Sequence, residues 1–357
     1  MQVIKDFFVK NNIKDKKIAV GVSGGADSLA LVLMLKEVLE DVEIIALTVD
    51  HGLRPSSYDE ALYVEKIMKT YKIEHHILKW EGQKPTVGIE EKARNARYNL
   101  LADWCKNNDV SYLCVAHHLY DQAETFLMRI ERGSGLFGLS SMNEVSNRDG
   151  IKILRPLLEV HPDSLKNYLT NKGIDWVVDE SNFCDDFLRV RMRNFLPILE
   201  KETGISAYKL SEAVNNLQRT KSFIEDTVEN IIKNHIHNWN NVCYSFDFSS
   251  FLTWHKEIRF HTLGFLIKDL SGIQYTPVSE DLLNLLNKMV SNEFESATLG
   301  GCIIIKYDLR IWVVKEYREK EQNYSNEAWN EFIKENPSVR GIKIPHKLKI
   351  ALLKEKK

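Results

Sequence analysis

Paired cysteines, long apolar runs and an excess of either charge are all missing from this chain of 357 residues. Its five cysteines, Cys105, Cys114, Cys184, Cys243 and Cys302, are odd in number and scattered, with no Cys-x-x-Cys pair. That pattern argues against a disulfide framework, a zinc site and an iron–sulfur cluster, and reads instead as small buried hydrophobes in a reducing compartment. No apolar stretch approaches the roughly 20 residues that span a bilayer. The opening MQVIKDFFVKNNIKDKK also lacks the apolar core and small-residue cleavage site of a secretory signal, so the expectation is a cytoplasmic protein with no membrane partner. Lysine and arginine (48) nearly balance aspartate and glutamate (50), for a net charge of −2. Any nucleic-acid partner must therefore be met by a local basic face, not by the charge of the whole molecule.

What is present is length and pattern. With 44% hydrophobic residues the chain can bury at least one full core, and its length favours two or three domains. From residue 16 to 130, short apolar runs alternate with helical patterns: KKIAVGV then DSLALVLMLKEVLE, VEIIALTVD then SSYDEALYVEKIMKTY, IEHHILKW then GIEEKARNARYNLLADWCKNN, VSYLCVAH then DQAETFLMRIER. Such alternation predicts an α/β fold with a doubly wound parallel sheet. Ile205 to Ile236 reads as helix, and beyond it CYSFDFSSF and CIIIKYDLRIWVVKE read as strands around a helical stretch. The expected organisation is a catalytic domain over 1–205, a helical linker over 206–239, a small α+β C-terminal domain over 240–335 and a lysine-rich tail over 336–357.

In doubly wound sheets ligands sit beyond the carboxyl ends of the strands, and three strand ends here carry unusual residues. The first is Ser23-Gly24-Gly25-Ala26-Asp27-Ser28, between an apolar strand and an apolar helix. Glycines let backbone amides approach an anion, and Ser28 with the first-turn amides supplies donors where the helix dipole favours negative charge. The loop is neither a Walker A motif nor a dinucleotide fingerprint. A phosphate cradle with no lysine for the terminal group suits pyrophosphate as leaving group. The second strand ends in Asp50-His51-Gly52, where an aspartate can accept from a nucleoside, position Mg2+ or simply form a turn. The fourth runs into His117-His118-Leu119-Tyr120-Asp121-Gln122-Ala123-Glu124. Asp121 and Glu124, three apart at a helix start, project from one face towards the glycine loop, where they could bind Mg2+, hold an ammonium group or take its proton. At least one of the adjacent histidines should face the cleft. Arg94 and Arg97 share a helix face suited to clamping phosphate. Arg189, Arg191 and Arg193 alternate with Val190 and Met192, which in an extended segment sets three guanidinium groups on one side for phosphate contact.

These strings together resemble a known family. SGGADS is similar to the PP-loop of the N-type ATP pyrophosphatases, which adenylate a carbonyl oxygen and release pyrophosphate. VDHGLR, EKARNARY, AHHLYDQAET, RGSGLFGLS, ILRPLL and the arginine-bearing stretch over the first 200 or so residues, with TLGGCIII near residue 300, resemble bacterial tRNA(Ile)-lysidine synthetases. The resemblance implies ATP-dependent ligation of free lysine to the wobble cytidine of an isoleucine tRNA with a CAU anticodon, through an adenylated cytidine, with AMP and pyrophosphate released. By position it implies ATP binding by Ser23, Gly24, Gly25, Ala26, Asp27, Ser28, Asp50, Arg94, Arg97 and His117. It implies lysine handling by Asp121, Glu124 and Arg132, tRNA contact by Arg189, Arg191 and Arg193, and Mg2+ near Asp27, Asp121 and Glu124. One departure stands out: Tyr120 occupies a position where the family commonly carries aspartate. The rival readings are a tRNA thiolase of the same superfamily, to which the scattered cysteines lend little, and a relative that binds nucleotide or RNA without turnover. Oligomeric state is left open, a homodimer included.

Overall fold

In the computed structural model the described residues are 1–53, 57–82, 88–178, 188–239, 241–273, 277–291, 293–316, 326–335, 343–345, 348–349 and 353. The chain divides into two compact units, Met1–Arg219 and Thr220–Lys357. The division falls inside the segment 206–239 expected to connect two domains.

The first unit runs α1 (Gln2–Lys10), β1 (Lys17–Gly21), α2 (Ala26–Val38), β2 (Glu43–Asp50), α3 (Ser57–Thr70), β3 (Glu74–Lys79), α4 (Ile89–Asn107), β4 (Tyr112–Cys114), α5 (Leu119–Glu131), α6 (Leu136–Leu139), β5 (Val145–Arg148), β6 (Ile151–Leu154), α7 (Pro162–Asn171) and α8 (Leu188–Thr203). Its sheet has the order β3-β2-β1-β4-β6-β5. All pairs are parallel except β5 with β6, an antiparallel edge hairpin. Alternation along the strands shows why the apolar runs are unbroken. Ile18, Val20, Ile44 and Ala46 enter one core with α1, α2 and α7. Ala19, Ile45 and Leu47 face the other way, into a second core under α4. A strand covered on both faces needs apolar residues at every position. The strand order steps from β1 outward to β2 on one side and β4 on the other, so the crevice at the ends of β1 and β4 is the switch point where a ligand belongs.

The helix α9 (Ala207–His235) carries the chain through the division between units. The second unit holds β7 (Ile236–Trp239), β8 (Cys243–Asp247), α10 (Phe248–Thr253), α11 (Lys256–Ser271), α12 (Ser279–Met289), β9 (Ser296–Leu299), β10 (Cys302–Tyr307), β11 (Arg310–Lys315) and α13 (Asn326–Glu335). Its sheet is antiparallel, in the order β7-β8-β11-β10-β9. One face packs Phe246, Ile304 and Val313 against α11 and α12. The other packs Trp312 and Val314 against Trp329 and Phe332. Gly300 turns the β9–β10 connection at φ 58°, and a Cβ there would lie 2.8 Å from Ile267. Most of the tail over 336–357 lies outside the described residues.

Candidate active site

The glycine loop lies between β1 and α2. Gly24 holds φ 81°, and its carbonyl accepts from the N–H of Val177 at 3.0 Å. Ser28 fixes the turn: its hydroxyl accepts from the N–H of Ser23 at 3.0 Å and donates to the Gly25 carbonyl at 3.0 Å. The first turn of α2 thus keeps its leading N–H groups for an anion. Asp50, at the end of β2, accepts with one oxygen from the N–H of Gly52 at 2.9 Å and the hydroxyl of Ser57 at 2.6 Å. The Ser57 bond, against a little burial and with help from Gly52, holds Asp50 below the usual carboxylate range. That oxygen serves the turn and the start of α3.

Opposite the loop stands α5. His118 caps it: Asp121 accepts the backbone N–H of His118 at 3.0 Å, while His118 Nδ1 lies 3.4 Å from the N–H of Asp121. The imidazole also spans the cleft, with Nε2 3.5 Å from an oxygen of Asp27 and Nδ1 3.5 Å from an oxygen of Asp121. Burial disfavours its charge, but Asp121, Asp27 and Glu124 outweigh burial and raise its pKa. In that imidazolium form Nδ1–H turns onto the Asp121 carboxylate, at the loss of a bond already long. Asp121 is likewise opposed by burial, and His118, His117, Arg189 and the backbone hold it below its ordinary value. The second oxygen of Asp27 is buried without a partner among the described residues.

Three turns of the expected geometry differ. The arginine-bearing segment is helical, so α8 sets Arg189 and Arg193, four apart, on one face. Both reach Glu124, through Nε of Arg189 at 3.1 Å and Nε of Arg193 at 2.7 Å. Arg191 points elsewhere and, with Asn194, Phe195 and Ile198, lines an open hollow of ≈ 360 Å³. Glu124 is fully buried, and both its oxygens accept from guanidinium donors, so its first partners are Arg189 and Arg193. Burial pushes Glu124 up while Arg193 and Arg189 pull it back, and the N–H···O contacts favour the ionised pair. Arg132 is the C-cap of α5, eleven residues along a continuous helix from Asp121 and so roughly 16 Å away. It therefore does not complete the cleft formed at the N-terminal end.

Arg94 and Arg97 lie on α4 with their guanidinium carbons 5.3 and 5.5 Å from the centre of the Tyr98 ring, and no hydrogen bond joins them to the glycine loop. His117 follows β4. Burial, reinforced by Arg155, Arg94 and Arg97 and opposed by Asp121, lowers it to about 3, and its Nδ1 is buried without a partner among the described residues. Tyr120 turns from the carboxylates to bond His161 at 3.2 Å and pack on the core shared by α5, α8 and α9. The sequence reading missed the His118 bridge and the double arginine grip on Glu124. The four-residue spacing of Arg189 and Arg193 was the available signal for the second. Of the cysteines, four are described and all are buried, with burial raising Cys105 to about 12 and Cys302 to about 11. Cys184 lies outside the described residues. Among the described residues no three His, Cys, Asp or Glu side chains form a metal-binding group, and no helix is long and apolar enough to cross a membrane.

A glycine loop opening a helix at the switch point of this sheet, faced by carboxylates, defines an ATP-using PP-loop protein, and residues 2–199 match the family model described as a PP-loop domain. The U34-tRNA thiolase NcsA from Methanococcus maripaludis shares that fold, with a TM-score of 0.52 and 19% identity over 60% of this chain and 78% of the other. Two relatives named tRNA(Ile)-lysidine synthase are much nearer in sequence. That of Wolbachia sp. subsp. Brugia malayi is 36% identical, covering 88% of this chain and 73% of the relative. That of Wolbachia pipientis wMel is 36% identical, covering 89% and 74%. The chain belongs to the tRNA(Ile)-lysidine synthase family.

Proposed function

We propose that this protein is a C–N bond-forming ligase that joins lysine to the wobble cytidine of isoleucine tRNA bearing a CAU anticodon. The ring carbonyl oxygen of cytidine attacks the α-phosphate of ATP, taking the AMP moiety and expelling pyrophosphate. The amine of lysine then displaces AMP. Adenylation is needed because the carbonyl oxygen is a poor leaving group until it carries the nucleotide.

The observation that carries this reading is the Asp27–His118–Asp121 bridge, which sets an acidic wall directly against the phosphate loop. Gly24 to Ser28 hold the phosphates through backbone N–H groups and Ser23 through its hydroxyl, with Asp50 and His117 flanking the nucleotide. Asp121 and the unpaired oxygen of Asp27 hold the ammonium of lysine and take its proton before attack. Mg2+, where the reaction uses it, would be held at the edge of the same pocket by Asp27 or Asp121 together with the phosphates, and would neutralise phosphate charge. Arg191, without an ion pair among the described residues, is offered to the tRNA backbone.

The test is pyrophosphate and AMP release by the full chain, assayed with and without lysine and with isoleucine tRNA (CAU) or methionine tRNA. Turnover should require both lysine and the isoleucine tRNA, and Asp121→Asn should lower kcat by about 10²–10⁴-fold. Turnover without lysine, or an Asp121→Asn variant at wild-type rate, refutes the assignment.

A further inference from the structure

Tyr98, in α4, is the centre of a cluster of arginines drawn from three parts of the chain. Its ring is buried, and the guanidinium carbons of Arg94, Arg97 and Arg148 lie 5.3, 5.5 and 4.9 Å from its centre. Arg155, just past β6, lies beside the Tyr98 hydroxyl without a well-aligned hydrogen bond, and its Nε is buried unpaired among the described residues. The side chains are built in place. Arg148 donates to Asn95 at 3.3 Å and to Asn99 at 3.1 Å, and Arg155 donates to the Asn143 carbonyl and the Ser146 hydroxyl, both at 2.9 Å.

Four like charges round one ring repel, and the ring's quadrupole offsets only part of that. Carboxylates do not supply the rest. Only Arg148 has an acidic neighbour among the described residues, Asp149 at 3.7 Å, and that carboxylate is largely exposed. In the neighbouring cleft Glu124 is held by Arg189 and Arg193, and neither Asp27 nor Asp121 forms an ion pair with Arg94, Arg97, Arg148 or Arg155 among the described residues. Burial lowers the pKa of Arg94, with Tyr98 opposing and the charges of Arg97, Arg189 and Arg155 adding to the fall. A preorganised group of guanidinium donors with no resident counter-charge is an anion site.

We propose that Arg94, Arg97, Arg148 and Arg155, gathered round Tyr98, seat a backbone phosphate of the RNA substrate; this rests on the reading of the chain as a tRNA-modifying enzyme. The sequence alone suggested an ATP clamp for the first two. The placement favours RNA. Arg148 stands on the edge strand β5, three strands from the β1 that carries the glycine loop, roughly 14 Å across the sheet. The Arg148 guanidinium reaches back to Tyr98, so the cluster extends from the edge strand inward as a surface that a polymer can follow. Arg94, Asn95 and Asn99 are exposed, so the site is open, as a polymer lying across it requires. Tyr98 packs in one core with Leu113 and Val115, on the segment that leads into the His117–Asp121 turn, so a strand with one base in the carboxylate pocket passes over the cluster.

The experiment measures binding of isoleucine tRNA (CAU) to the full chain across a range of salt, and binding of ATP without RNA. Arg97→Gln and Arg148→Gln should each weaken RNA binding several-fold. Each should also reduce the slope of log affinity against log salt by roughly 0.7 to 1, the share of one phosphate contact. ATP affinity should be unchanged. Arg148→Lys should keep the slope and still lose affinity, because the charge remains while the planar fork is gone; it also carries the test if the glutamine variant fails to melt cooperatively. An unchanged slope in both glutamine variants overturns the proposal, as does a loss of ATP affinity in place of RNA affinity. Failure of the wild-type chain to bind the tRNA sinks the underlying functional reading, a result distinct from both.

Discussion

The grip of Arg189 and Arg193 on Glu124 makes a quantitative claim about stability. Glu124 has no exposed surface, whereas the arginine side chains are 34% and 36% exposed. Removing one partner of a buried ion pair costs about 3–5 kcal/mol, because the other charge is left desolvated. Arg193→Met keeps the aliphatic stalk, and Glu124 keeps Arg189 at 3.1 Å, so the loss is discounted to about 2 kcal/mol. In a unit running from Met1 to Arg219 that lowers Tm by roughly 4–8 °C. Arg189→Met with Arg193→Met strands the carboxylate and should reach the full range of about 3–5 kcal/mol. Adding Glu124→Gln to that double variant removes the stranded charge, so most of the lost stability should return. Scanning calorimetry on the full chain follows the transition of the first unit. If Arg193→Met leaves Tm unchanged, or Glu124→Gln brings no recovery, then Glu124 is not held as a buried charge by these two residues.

The remaining predictions concern the loop and its facing histidine. Gly24→Ala forces a side chain into φ 81° with its Cβ 3.4 Å from Val177 and Val64; stability should drop by about 1 kcal/mol in urea melts, and kcat should fall at least tenfold while the glycine loop is displaced. For His118, whose pKa is raised in the fold, the contribution to stability is complete below its unfolded value of about 6.5 and is lost as pH rises through the higher folded value. A pH series of melts should show that loss in the wild type, and His118→Gln should abolish it; an unchanged alkaline limb in the variant counts against the bridge.

Much of the first unit could be read directly because a parallel sheet covered on both faces writes itself as unbroken apolar runs, and a glycine loop before an apolar helix has few other uses. The edge hairpin of β5 and β6 was harder, since four-residue strands bounded by Asp149-Gly150 carry little periodicity. The arginines failed for a different reason. Alternation in LRVRMR suits a strand, but the segment continues as NFLPILEKET, whose helical spacing prevails over the local pattern once Leu196 is buried against α5. Arg132 failed because nearness in sequence to an active-site helix was read as nearness in space, when the helix itself carries it to the far end.

Asp121 and Glu124 show why spacing assigns a face but not a role. Three residues apart on α5, they do share a face, yet what each does is decided by partners from elsewhere in the chain. Arg189 and Arg193 stand 65 and 69 residues away from Glu124, beyond the reach of any local pattern. Their arrival makes Glu124 an anchor for α8 and leaves Asp121, one turn nearer the mouth, to pair with His118. Asp27 and Asp121 share the His118 imidazolium, while Glu124 is paired with the two guanidinium groups. A cationic amine entering beside Asp27 and Asp121 meets the imidazolium as its competitor, since both draw on the same two carboxylates. On the proposed reading, a lysine amine bound there would favour the neutral form of His118, whose ring nitrogens lie 3.5 Å from Asp27 and Asp121, beside an ammonium that must itself lose a proton before it can attack.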